Sequence, residues 1–476
     1  MIESLQFYVG GKWVDPVRPA TLDVYNPATE EAFGRISAGS AADVAAAVAA
    51  ARAAQPAWAA TSREERLAVL ARIAGEYQKR LGDLATAITE EMGAPASLSQ
   101  RAQAPVGLGH IMTAIEVLKT FEFEQDKGPT RISRVPIGVC GLITPWNWPM
   151  NQIACKVAPA LATGCTMVLK PSEEAPFSAK IFAEIMDAAG VPAGVFNMVH
   201  GTGPEVGAAI SSNPDIDMVS FTGSTNAGIE VARAAAATVK RVTQELGGKS
   251  PNIILDDEGF AGGVTRGTMS VMNNSGQSCN APTRMLVPHS RRDEAVAIAT
   301  ATVDGLIVGD PKGNAHLGPV VNRNQFERVQ SYIEIGIEEG ASLVAGGPGR
   351  PEGLERGFYV KPTVFADVTN DMRIAREEIF GPVLSILSYS DLDEAVEIAN
   401  DTTFGLSAYV QSADIEKARE IASKLQAGQV SINGGSDLKA PFGGFKTSGN
   451  GREWGEYGFH EFVETRAILG YSPASA

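Results

Sequence analysis

The chain has 476 residues, of which 44% are hydrophobic, and its 40 basic against 55 acidic side chains give a formal charge of −15. This length allows two or three domains that bury about three-quarters of the unfolded chain's surface, and the mixed composition excludes a largely disordered protein. The acidic balance argues against a nucleic-acid partner, which needs a positive surface. Four scattered cysteines without a C-x-x-C pair and five dispersed histidines argue against a disulfide framework and a metal site.

The N-terminus, Met1–Ser4, lacks the basic start and apolar run of a secretory signal. No stretch of the sequence approaches the roughly 20 apolar residues that span a bilayer. We therefore expect a cytoplasmic protein with no membrane partner.

The first forty residues predict short strands and turns, and Ser40 suits the N-cap of a helix that ends near Ala53. A second helix is predicted over about 63–80, where Leu67, Leu70 and Ile73 keep a spacing of three to four. The stretch 118–136 alternates in hydrophobicity and predicts an exposed hairpin.

From Gly138 onward, apolar strands alternate with helices, which predicts βαβ units and a parallel sheet. The predicted strands of this first series are 138–143, 166–169, 195–199 and 218–221. Helices are expected around 152–161, 177–188 and 204–211. A second series between 251 and 432 contains strand candidates 252–255, 383–387 and 408–411. The fold class is therefore α/β, with two α/β domains, and ligands are expected beyond the carboxyl ends of the strands.

Two glycine-rich segments imitate phosphate-binding motifs. Gly201–Gly207 nearly matches G-x-G-x-x-G, but its third glycine is one residue late, and a tight turn into a helix explains the segment better. Gly248-Lys249-Ser250 resembles the end of a P-loop, but the first glycine of that motif would fall on Thr243.

One cysteine stands apart from the other three. Cys279 lies in a small polar stretch, Asn274–Asn280, which suits an accessible nucleophilic thiol. Cys140, Cys155 and Cys165 lie in apolar surroundings that are typical of inert core thiols. Taken alone, Cys279 is better explained as an inert thiol than as a reactive one.

Seven segments in order resemble the motifs of the NAD(P)-dependent aldehyde dehydrogenase superfamily over essentially the full chain. They are Thr144–Pro149, Lys170–Glu173, Phe221–Thr225, Glu245–Lys249, Gly276–Cys279, Glu377–Pro382 and Pro441–Gly449. Each motif is weak alone, but seven with family-like spacing make chance resemblance negligible.

The resemblance implies a Rossmann-like cofactor-binding domain, a second α/β catalytic domain and a small β oligomerisation hairpin. The expected ranges are 1–117 and 137–246 for the cofactor domain, 247–446 for the catalytic domain, and 118–136 with 462–476 for oligomerisation. Strand pairing across subunits would then give a homodimer or homotetramer.

The resemblance also assigns catalytic roles. Cys279 matches the nucleophile that adds to an aldehyde, and Asn147 with the backbone N–H of Cys279 matches the oxyanion hole. Glu245 matches the base that activates water to hydrolyse the thioester. Lys170 is expected to act both in catalysis and in cofactor binding.

The cofactor is expected to be NAD, with NADP less favoured, because the Glu173 carboxylate suits ribose hydroxyls and repels a 2′-phosphate. Lys156 matches a basic position near the adenosine ribose. The residues expected to bind the cofactor are Ile143, Thr144, Pro145, Trp146, Lys170, Ser172, Glu173, Gly203, Gly207, Phe221, Thr222, Gly223, Ser224, Glu245, Leu246, Gly247, Glu378 and Phe380.

The partner is expected to be a small aldehyde, and the sequence leaves its identity open. The residues expected to contact it are Trp148, Gln152, Cys155, Ser278 and Phe442. The chain departs from many relatives at Cys155, where they carry a tryptophan, and in the polar loop 434–440, so the resemblance implies a wider tunnel.

Two other functions remain alternatives. A coenzyme A-acylating semialdehyde dehydrogenase would use coenzyme A in place of water, although Glu245 as a water activator argues against it. A silent binding or structural member of the fold would be expected to lose Cys279, Asn147 or Glu245, and all three are present.

Overall fold

The N-terminal part of this computed structural model, which describes residues 1–472, holds five short strands and a group of helices. The strands are β1 (Ile2–Ser4), β2 (Phe7–Val9), β3 (Lys12–Val14), β4 (Thr21–Asn26) and β5 (Glu31–Ser37). The helices are α1 (Ala41–Ala59), α2 (Arg63–Lys79), α3 (Leu81–Met92), α4 (Ala96–Leu98) and α5 (Ala104–Thr120). No helix among the described residues is both long and apolar enough to cross a membrane.

The first two long helices begin as the sequence predicts. Asp43 accepts a hydrogen bond from the Ser40 backbone N–H at 2.8 Å, so the predicted N-cap of α1 is confirmed. At the start of α2, Ser62 and Glu65 form a capping box, in which the backbone N–H of each residue donates to the side chain of the other. Helix α1 runs six residues past its predicted end at Ala53, to Ala59.

An eight-stranded sheet follows, built on five parallel strands in the order β12-β11-β8-β9-β10. Its strands and intervening helices are β8 (Val139–Ile143), α6 (Pro149–Thr163), β9 (Thr166–Lys170), α7 (Pro176–Ala188), β10 (Phe196–Met198), α8 (Ala208–Ser212), β11 (Met218–Thr222), α9 (Thr225–Ala235) and β12 (Arg241–Glu245). Because β9 and β11 lie on opposite sides of β8, the chain reverses its winding there, which is where open α/β sheets bind ligands.

A seven-stranded sheet forms the second α/β unit, in the order β15-β16-β17-β14-β13-β19-β20. Its elements and the short strand β18 are β13 (Pro251–Ile254), α10 (Phe260–Met272), β14 (Arg284–Pro288), α11 (Arg292–Asp304), α12 (Arg323–Glu338), β15 (Ser342–Ala345), β16 (Thr363–Ala366), α13 (Arg373–Arg376), β17 (Val383–Tyr389), α14 (Leu392–Asn400), β18 (Phe404–Gly405), β19 (Ser407–Gln411), α15 (Ile415–Ala422) and β20 (Gln429–Ile432). Separate apolar cores underlie the two large sheets.

The chain then returns to the first unit through β21 (Phe445–Lys446), β22 (Gly449–Asn450), α16 (Gly455–Glu461) and β23 (Val463–Ile468). Strand β22 pairs with β12, with Gly449 opposite Glu245. This pairing holds the end of β12 between Thr222 on one side and Gly449 on the other.

A three-stranded antiparallel sheet projects from the N-terminal unit. It contains β6 (Glu124–Lys127), β7 (Thr130–Pro136) and β23. Residues 118–120, which were expected in this hairpin, instead form the end of α5, because Leu118 continues the buried stripe of that helix. Of the expected segment 462–476, residues 473–476 lie outside the described part of the chain.

Candidate active site

A cavity of about 620 Å³ is lined by residues of both α/β units. From the first unit come the segments that follow β8, β11 and β12, and from the second come the Cys279 segment and the segment after α13. The predicted site residues that line this cavity are Pro145, Trp146, Asn147, Gln152, Thr222, Gly223, Ser224, Leu246, Gly247, Cys279, Glu378 and Phe380.

Cys279 lies on a tightly turned loop after α10. Asn274, Ser275 and Gly276 all have positive φ angles, of 53°, 54° and 73°. A Cβ atom on Gly276 would lie 2.0 Å from the carbonyl oxygen of Gly381, so only glycine fits at this point of the turn. The turn presents Cys279 at the cavity wall.

A buried amide network joins this loop to the segment after β8. Asn274 Nδ2 donates to the carbonyl oxygen of Asn147 at 3.0 Å. Gln103 Nε2 donates to the same oxygen at 3.1 Å and to Asn274 Oδ1 at 3.2 Å. The side chain of Asn147 donates in turn to the carbonyl oxygen of Gln277 at 3.1 Å. This network fixes the Asn147 amide relative to the Cys279 loop.

The Asn147 amide retains a donor for a ligand. A side-chain amide has two N–H donors, and the contact with Gln277 uses one of them. Because Asn147 and Cys279 line the same cavity, the second N–H and the thiol can act on the same bound group. This pairing suits an oxygen that develops negative charge when a thiolate attacks its carbon.

Two carboxyl groups influence the thiol. Burial raises the pKa of Cys279 well above its ordinary value, and the negative charges of Glu378 and Glu245 raise it further. The thiol is therefore protonated at neutral pH in this arrangement, and attack requires a base to take its proton.

Glu245 ends β12 and is buried, with 4% of its surface exposed. Neither carboxylate oxygen has a hydrogen-bond partner among residues 1–472. Burial and the nearby charge of Glu453 raise the pKa of Glu245 well above its usual range, while Lys156 acts in the opposite direction. A carboxyl group with a raised pKa is suited to proton transfer near neutral pH.

Lys156, which the resemblance places near the adenosine ribose, is buried and does not line the large cavity. It is 1% exposed, forms an ion pair with Glu453 and donates to Ser220 Oγ at 3.0 Å. Burial is the largest influence on the pKa of Lys156 and lowers it, but the charge and hydrogen bond of Glu453, together with the charges of Cys155 and Glu245, raise the pKa above its ordinary value. Lys156 is therefore a buried cation that influences Glu245, because α6 packs this face against the sheet.

The remaining residues expected at the cofactor lie close to the cavity or at the same edge of the sheet without lining it. Lys170 Nζ donates to Glu173 Oε2 and to the carbonyl oxygen of Pro171, both at 3.0 Å. Gly207 lies against Lys170, since a Cβ atom there would be 3.8 Å from its side chain. The expected residues that do not line the cavity are Ile143, Thr144, Lys170, Ser172, Glu173, Gly203, Gly207, Phe221 and Glu245.

The first turn of α9 presents backbone N–H groups to the cavity. Ser224 is the N-cap, and its hydroxyl accepts from Ala227 N–H at 3.3 Å. Thr225 and Asn226 line the cavity beside it. The N-terminus of an eleven-residue helix attracts anions such as phosphate.

Helix α12 contributes residues that the sequence analysis missed. Gln325 donates to the carbonyl oxygens of Ile379 and Phe380, and Arg328 donates to that of Glu378. The lining residues outside the predicted site set are Thr225, Asn226, Gln325, Arg328, Tyr332, Arg376, Glu377, Thr403 and Phe404, of which Thr225 and Glu377 lie within the segments that resemble family motifs. The available signal was that Gln325, Arg328 and Tyr332 share one helix face, a pattern common to many surface helices.

Of the five residues expected to contact a substrate, only Gln152 lines the large cavity. Trp148 Nε1 donates to Ser278 Oγ at 2.8 Å, and Phe442 stacks on Trp454 with ring centroids 4.4 Å apart. Cys155 instead lines a separate cavity of about 10 Å³ beside Trp454, and its thiol donates to Glu453. The small residue at 155 therefore does not widen the large cavity, because Trp454 lies next to it.

The comparisons with known proteins agree with this arrangement. The sequence profile of the aldehyde dehydrogenase family matches residues 13–468. The chain is 54% identical to 3-succinoylsemialdehyde-pyridine dehydrogenase from Pseudomonas sp., over 99% of both chains. It resembles a mutant of aldehyde dehydrogenase C from Pseudomonas syringae complexed with NAD+ and octanal, with 55% identity, a TM-score of 0.98 and coverage of 99% and 98% of the two chains. It also resembles an NAD+ complex of a Mycobacterium tuberculosis aldehyde dehydrogenase, with 42% identity, a TM-score of 0.96 and coverage of 100% and 99%.

Proposed function

The chain belongs to the aldehyde dehydrogenase family, and on that premise we propose that it oxidises an aldehyde to a carboxylic acid with NAD+ through covalent catalysis by Cys279. The observation that carries this proposal is that Cys279 and Asn147 line one cavity, while the buried Glu245 lies near enough for its charge to raise the pKa of Cys279. The Rossmann-like fold of the NAD+-bound relatives supports the choice of cofactor.

In the first half of the reaction the Cys279 thiolate adds to the aldehyde carbon and gives a thiohemiacetal. Its oxygen carries the developing charge, and the free N–H of Asn147 with the backbone N–H of Cys279 stabilises that charge. Glu245 is the base that takes the thiol proton, since it contributes to the high pKa of Cys279 through its charge. When bound, NAD+ supplies the hydride acceptor that makes the reaction an oxidation.

In the second half water attacks the resulting thioester. Glu245 first passes the proton that it took from Cys279 to solvent and then deprotonates the attacking water, and Cys279 leaves as thiolate when the acid is released. The two glycines after Leu246 permit the backbone freedom that brings the buried carboxylate towards the cavity. The ion pair of Lys156 and Glu453 lies near Glu245, and the two charges act on the pKa of Glu245 in opposite directions.

Two features support NAD+ as the group that fills the cavity. The hydroxyl of Thr222, a residue that lines the cavity at the end of β11, is buried without a partner among residues 1–472. The N-terminus of α9 with Ser224 offers N–H groups to a pyrophosphate. Glu378 and Phe380 would hold the nicotinamide end, because Glu378 is anchored by Gly248 N–H at 3.0 Å and Phe380 packs edge-on against Trp146.

Glu173→Gln is predicted to weaken the preference for NAD+ over NADP+. The carboxylate accepts from ribose hydroxyls and repels a 2′-phosphate, whereas the amide keeps similar size without the charge. Because Lys170 remains beside it, the variant should gain efficiency with NADP+. The measurement is the ratio of kcat/KM for the two cofactors, and an unchanged ratio would remove Glu173 from cofactor discrimination.

Asn147→Ala is predicted to lower kcat by about 10²–10³-fold, because removal of one oxyanion donor typically has this effect. The backbone N–H of Cys279 remains, so activity should fall without disappearing. The decrease in kcat is measured from steady-state NADH formation. The backbone carbonyl of residue 147 still accepts from Gln103 and Asn274, so the loop is expected to keep its position.

The whole assignment is tested by NADH absorbance across an aldehyde panel that includes octanal and semialdehydes. The 54%-identical relative is named for 3-succinoylsemialdehyde-pyridine, and the structurally similar enzyme was crystallised with octanal, so both kinds of aldehyde are reasonable starting points. A requirement for coenzyme A would favour the acylating alternative. No NADH from any aldehyde would favour a silent binding protein.

The domain division and the assembly are also proposals. The two large sheets support a cofactor-binding unit over 1–117 and 137–246 and a catalytic unit over 247–446. A cytoplasmic location is part of the same proposal. The edge of the small sheet at β6 supports pairing across subunits into a homodimer or homotetramer. Sedimentation of a monomer at micromolar concentration would contradict that assembly.

A further inference from the structure

Trp454 has a backbone conformation that glycine adopts far more easily than any other residue. Its φ and ψ angles are 68° and 154°, a region in which a residue with a Cβ atom is strained. Gly455 follows it, and a Cβ atom there would lie 2.0 Å from the carbonyl oxygen of Lys439, so this turn packs tightly against the preceding loop. Strain of this kind persists only where surrounding contacts offset it, and it clusters at functional sites.

The ring of Trp454 supplies such contacts. It stacks on Phe442, with ring centroids 4.4 Å apart and planes inclined by 17°, and it lies against His110 with centroids 5.4 Å apart. Its Nε1 has no hydrogen-bond partner among residues 1–472, so the ring acts through packing. A small side chain at position 454 would lose these contacts but would keep the strain as long as it retains a Cβ atom.

The strained turn adjoins the base of the proposed mechanism. Glu453 immediately precedes Trp454 and exchanges two backbone hydrogen bonds with Phe442, of 2.9 and 2.7 Å. Gly443, the residue after Phe442, packs against the base, since a Cβ atom on Gly443 would lie 2.7 Å from Glu245 Oε1. The stack of Trp454 on Phe442 therefore joins two backbone segments that lie beside the Glu245 carboxyl group.

The buried side chain of Glu453 is held by α6. Its carboxylate forms an ion pair with Lys156 and accepts a hydrogen bond from the Cys155 thiol at 3.3 Å. Because the backbone of Glu453 leads directly into the strained turn, relaxation of that turn would move the carboxylate and break both contacts. The charge of Glu453 would then act less strongly on Glu245.

We propose that Trp454 is a positioning residue: by stacking on Phe442, its ring offsets the strain of its own backbone and holds the Glu453 carboxylate in its ion pair with Lys156. This inference rests on the proposed role of Glu245 as the base and adds a residue that acts on it through Glu453. Without the ring, Glu453 moves away and Lys156 is released, and both changes favour an ionised Glu245. The pKa of Glu245, which burial and the charge of Glu453 raise, should then fall.

Other ionisable groups also surround this carboxyl pair. They lie on α5, α6, α16, the segment before Glu453 and the nucleophile loop, and they are His110, Cys155, Glu461, Arg452 and Cys279. Burial lowers the pKa of His110 and raises that of Cys155, so both are uncharged near neutral pH. A double substitution that includes Glu453 separates its contribution from those of the remaining groups.

The test compares two small residues at position 454. Trp454→Ala removes the ring but keeps a Cβ atom and therefore the strain, whereas Trp454→Gly removes both. The readout is the pH dependence of the steady rate of NADH formation, in which the rise reports the ionisation of Glu245. We expect this rise to shift to lower pH by about one unit in Trp454→Ala, the scale of one nearby charge, and to stay at its wild-type position in Trp454→Gly.

Further variants separate an effect through Glu453 from general damage. Glu453→Gln removes the charge directly and should shift the profile in the same direction, and adding Trp454→Ala to it should shift the profile no further. Trp454→Phe keeps a stacking ring and should keep the wild-type profile. Trp13→Ala removes another half-buried tryptophan ring, on β3, and should also leave the profile unchanged. If Trp454→Ala does not fold, Trp454→Leu provides the same comparison, because leucine keeps the strain without an aromatic ring.

The outcomes are distinguishable. An unshifted profile in Trp454→Ala, an equal shift in Trp454→Ala and Trp454→Gly, or a further shift in the double variant would overturn the inference while leaving aldehyde oxidation intact. Failure of the proposed function would appear differently, as the absence of NADH from every aldehyde or as normal steady turnover in Glu245→Gln.

Discussion

Replacement of Cys279 by alanine is expected to reduce NADH formation by about 10⁴-fold or more, the scale seen when a catalytic nucleophile is removed. Alanine cannot add to the aldehyde, so neither the thiohemiacetal nor the thioester forms. The binding of NAD+ should persist, because the residues that fit the cofactor lie at strand ends of the other α/β unit and at Glu378 and Phe380. Calorimetric titration with NAD+ and intact-protein mass spectrometry after aldehyde addition measure the two effects separately.

Cys140→Ala is the matched control for this experiment. Cys140 is a fully buried thiol within β8, and its burial raises its pKa, so it takes no part in attack. The folded control should retain turnover and the covalent acyl adduct, even if its stability falls. Full activity in Cys279→Ala would overturn the assignment of the nucleophile, and an acyl adduct that persists in that variant would point to another residue.

The sequence predicted four of the five parallel strands of the first sheet because those four are mostly apolar, and it missed β12 (Arg241–Glu245), whose residues are mostly polar. Strands β8, β9 and β11 lie within one residue of their predicted bounds, since strands buried on both faces have a short and uniform hydrophobic pattern. The motif residues follow the ends of those strands. Once the strands are parallel neighbours, their carboxyl ends meet, and the predicted cluster around Asn147 and Thr222 follows from topology.

Contacts that depend on the packing of distant segments were less predictable. Gln325 and Arg328 lie on a surface helix, and only the fold brings that helix against Glu378 and Phe380. The local hydrophobic pattern does not distinguish a helix face that lines a cavity from an ordinary solvent-exposed face. Residues 118–120 illustrate the same limit, because an apolar pattern of a few residues fits the end of a helix as well as the start of a strand.

The neighbours of Cys155 and Lys156 could also be identified only from the structure. Both residues meet Glu453, which lies almost 300 positions later in the chain. A sequence pattern on α6 cannot reveal a partner at that separation. The resemblance implies a place for Lys156 near the adenosine ribose, and only the structure reveals that its ammonium group pairs with Glu453 and is influenced by the charge of Glu245.

Glu245→Gln is expected to separate the two halves of the reaction. The variant can still add substrate through Cys279 and reduce NAD+, so a single burst of NADH approaching one per active site should appear. It should then stall at the thioester, because glutamine cannot deprotonate the attacking water, and the steady rate should fall by about 10²–10⁴-fold. Stopped-flow absorbance measures the burst amplitude, and mass spectrometry detects the accumulated acyl-enzyme.

The pH dependence of the steady-state rate gives an independent test of the role of Glu245. Because burial and the charge of Glu453 raise the pKa of Glu245, the ionised base accumulates only as pH rises above the ordinary carboxyl range. The wild-type steady rate should therefore increase with pH through that raised pKa, and the Gln variant should lose this rise. Glu245 also helps to deprotonate the Cys279 thiol, so the variant's burst should be slower but of full final amplitude. Normal steady turnover in Glu245→Gln would remove this carboxylate from the mechanism, and a slow steady rate without any burst would move its role to the attack step alone.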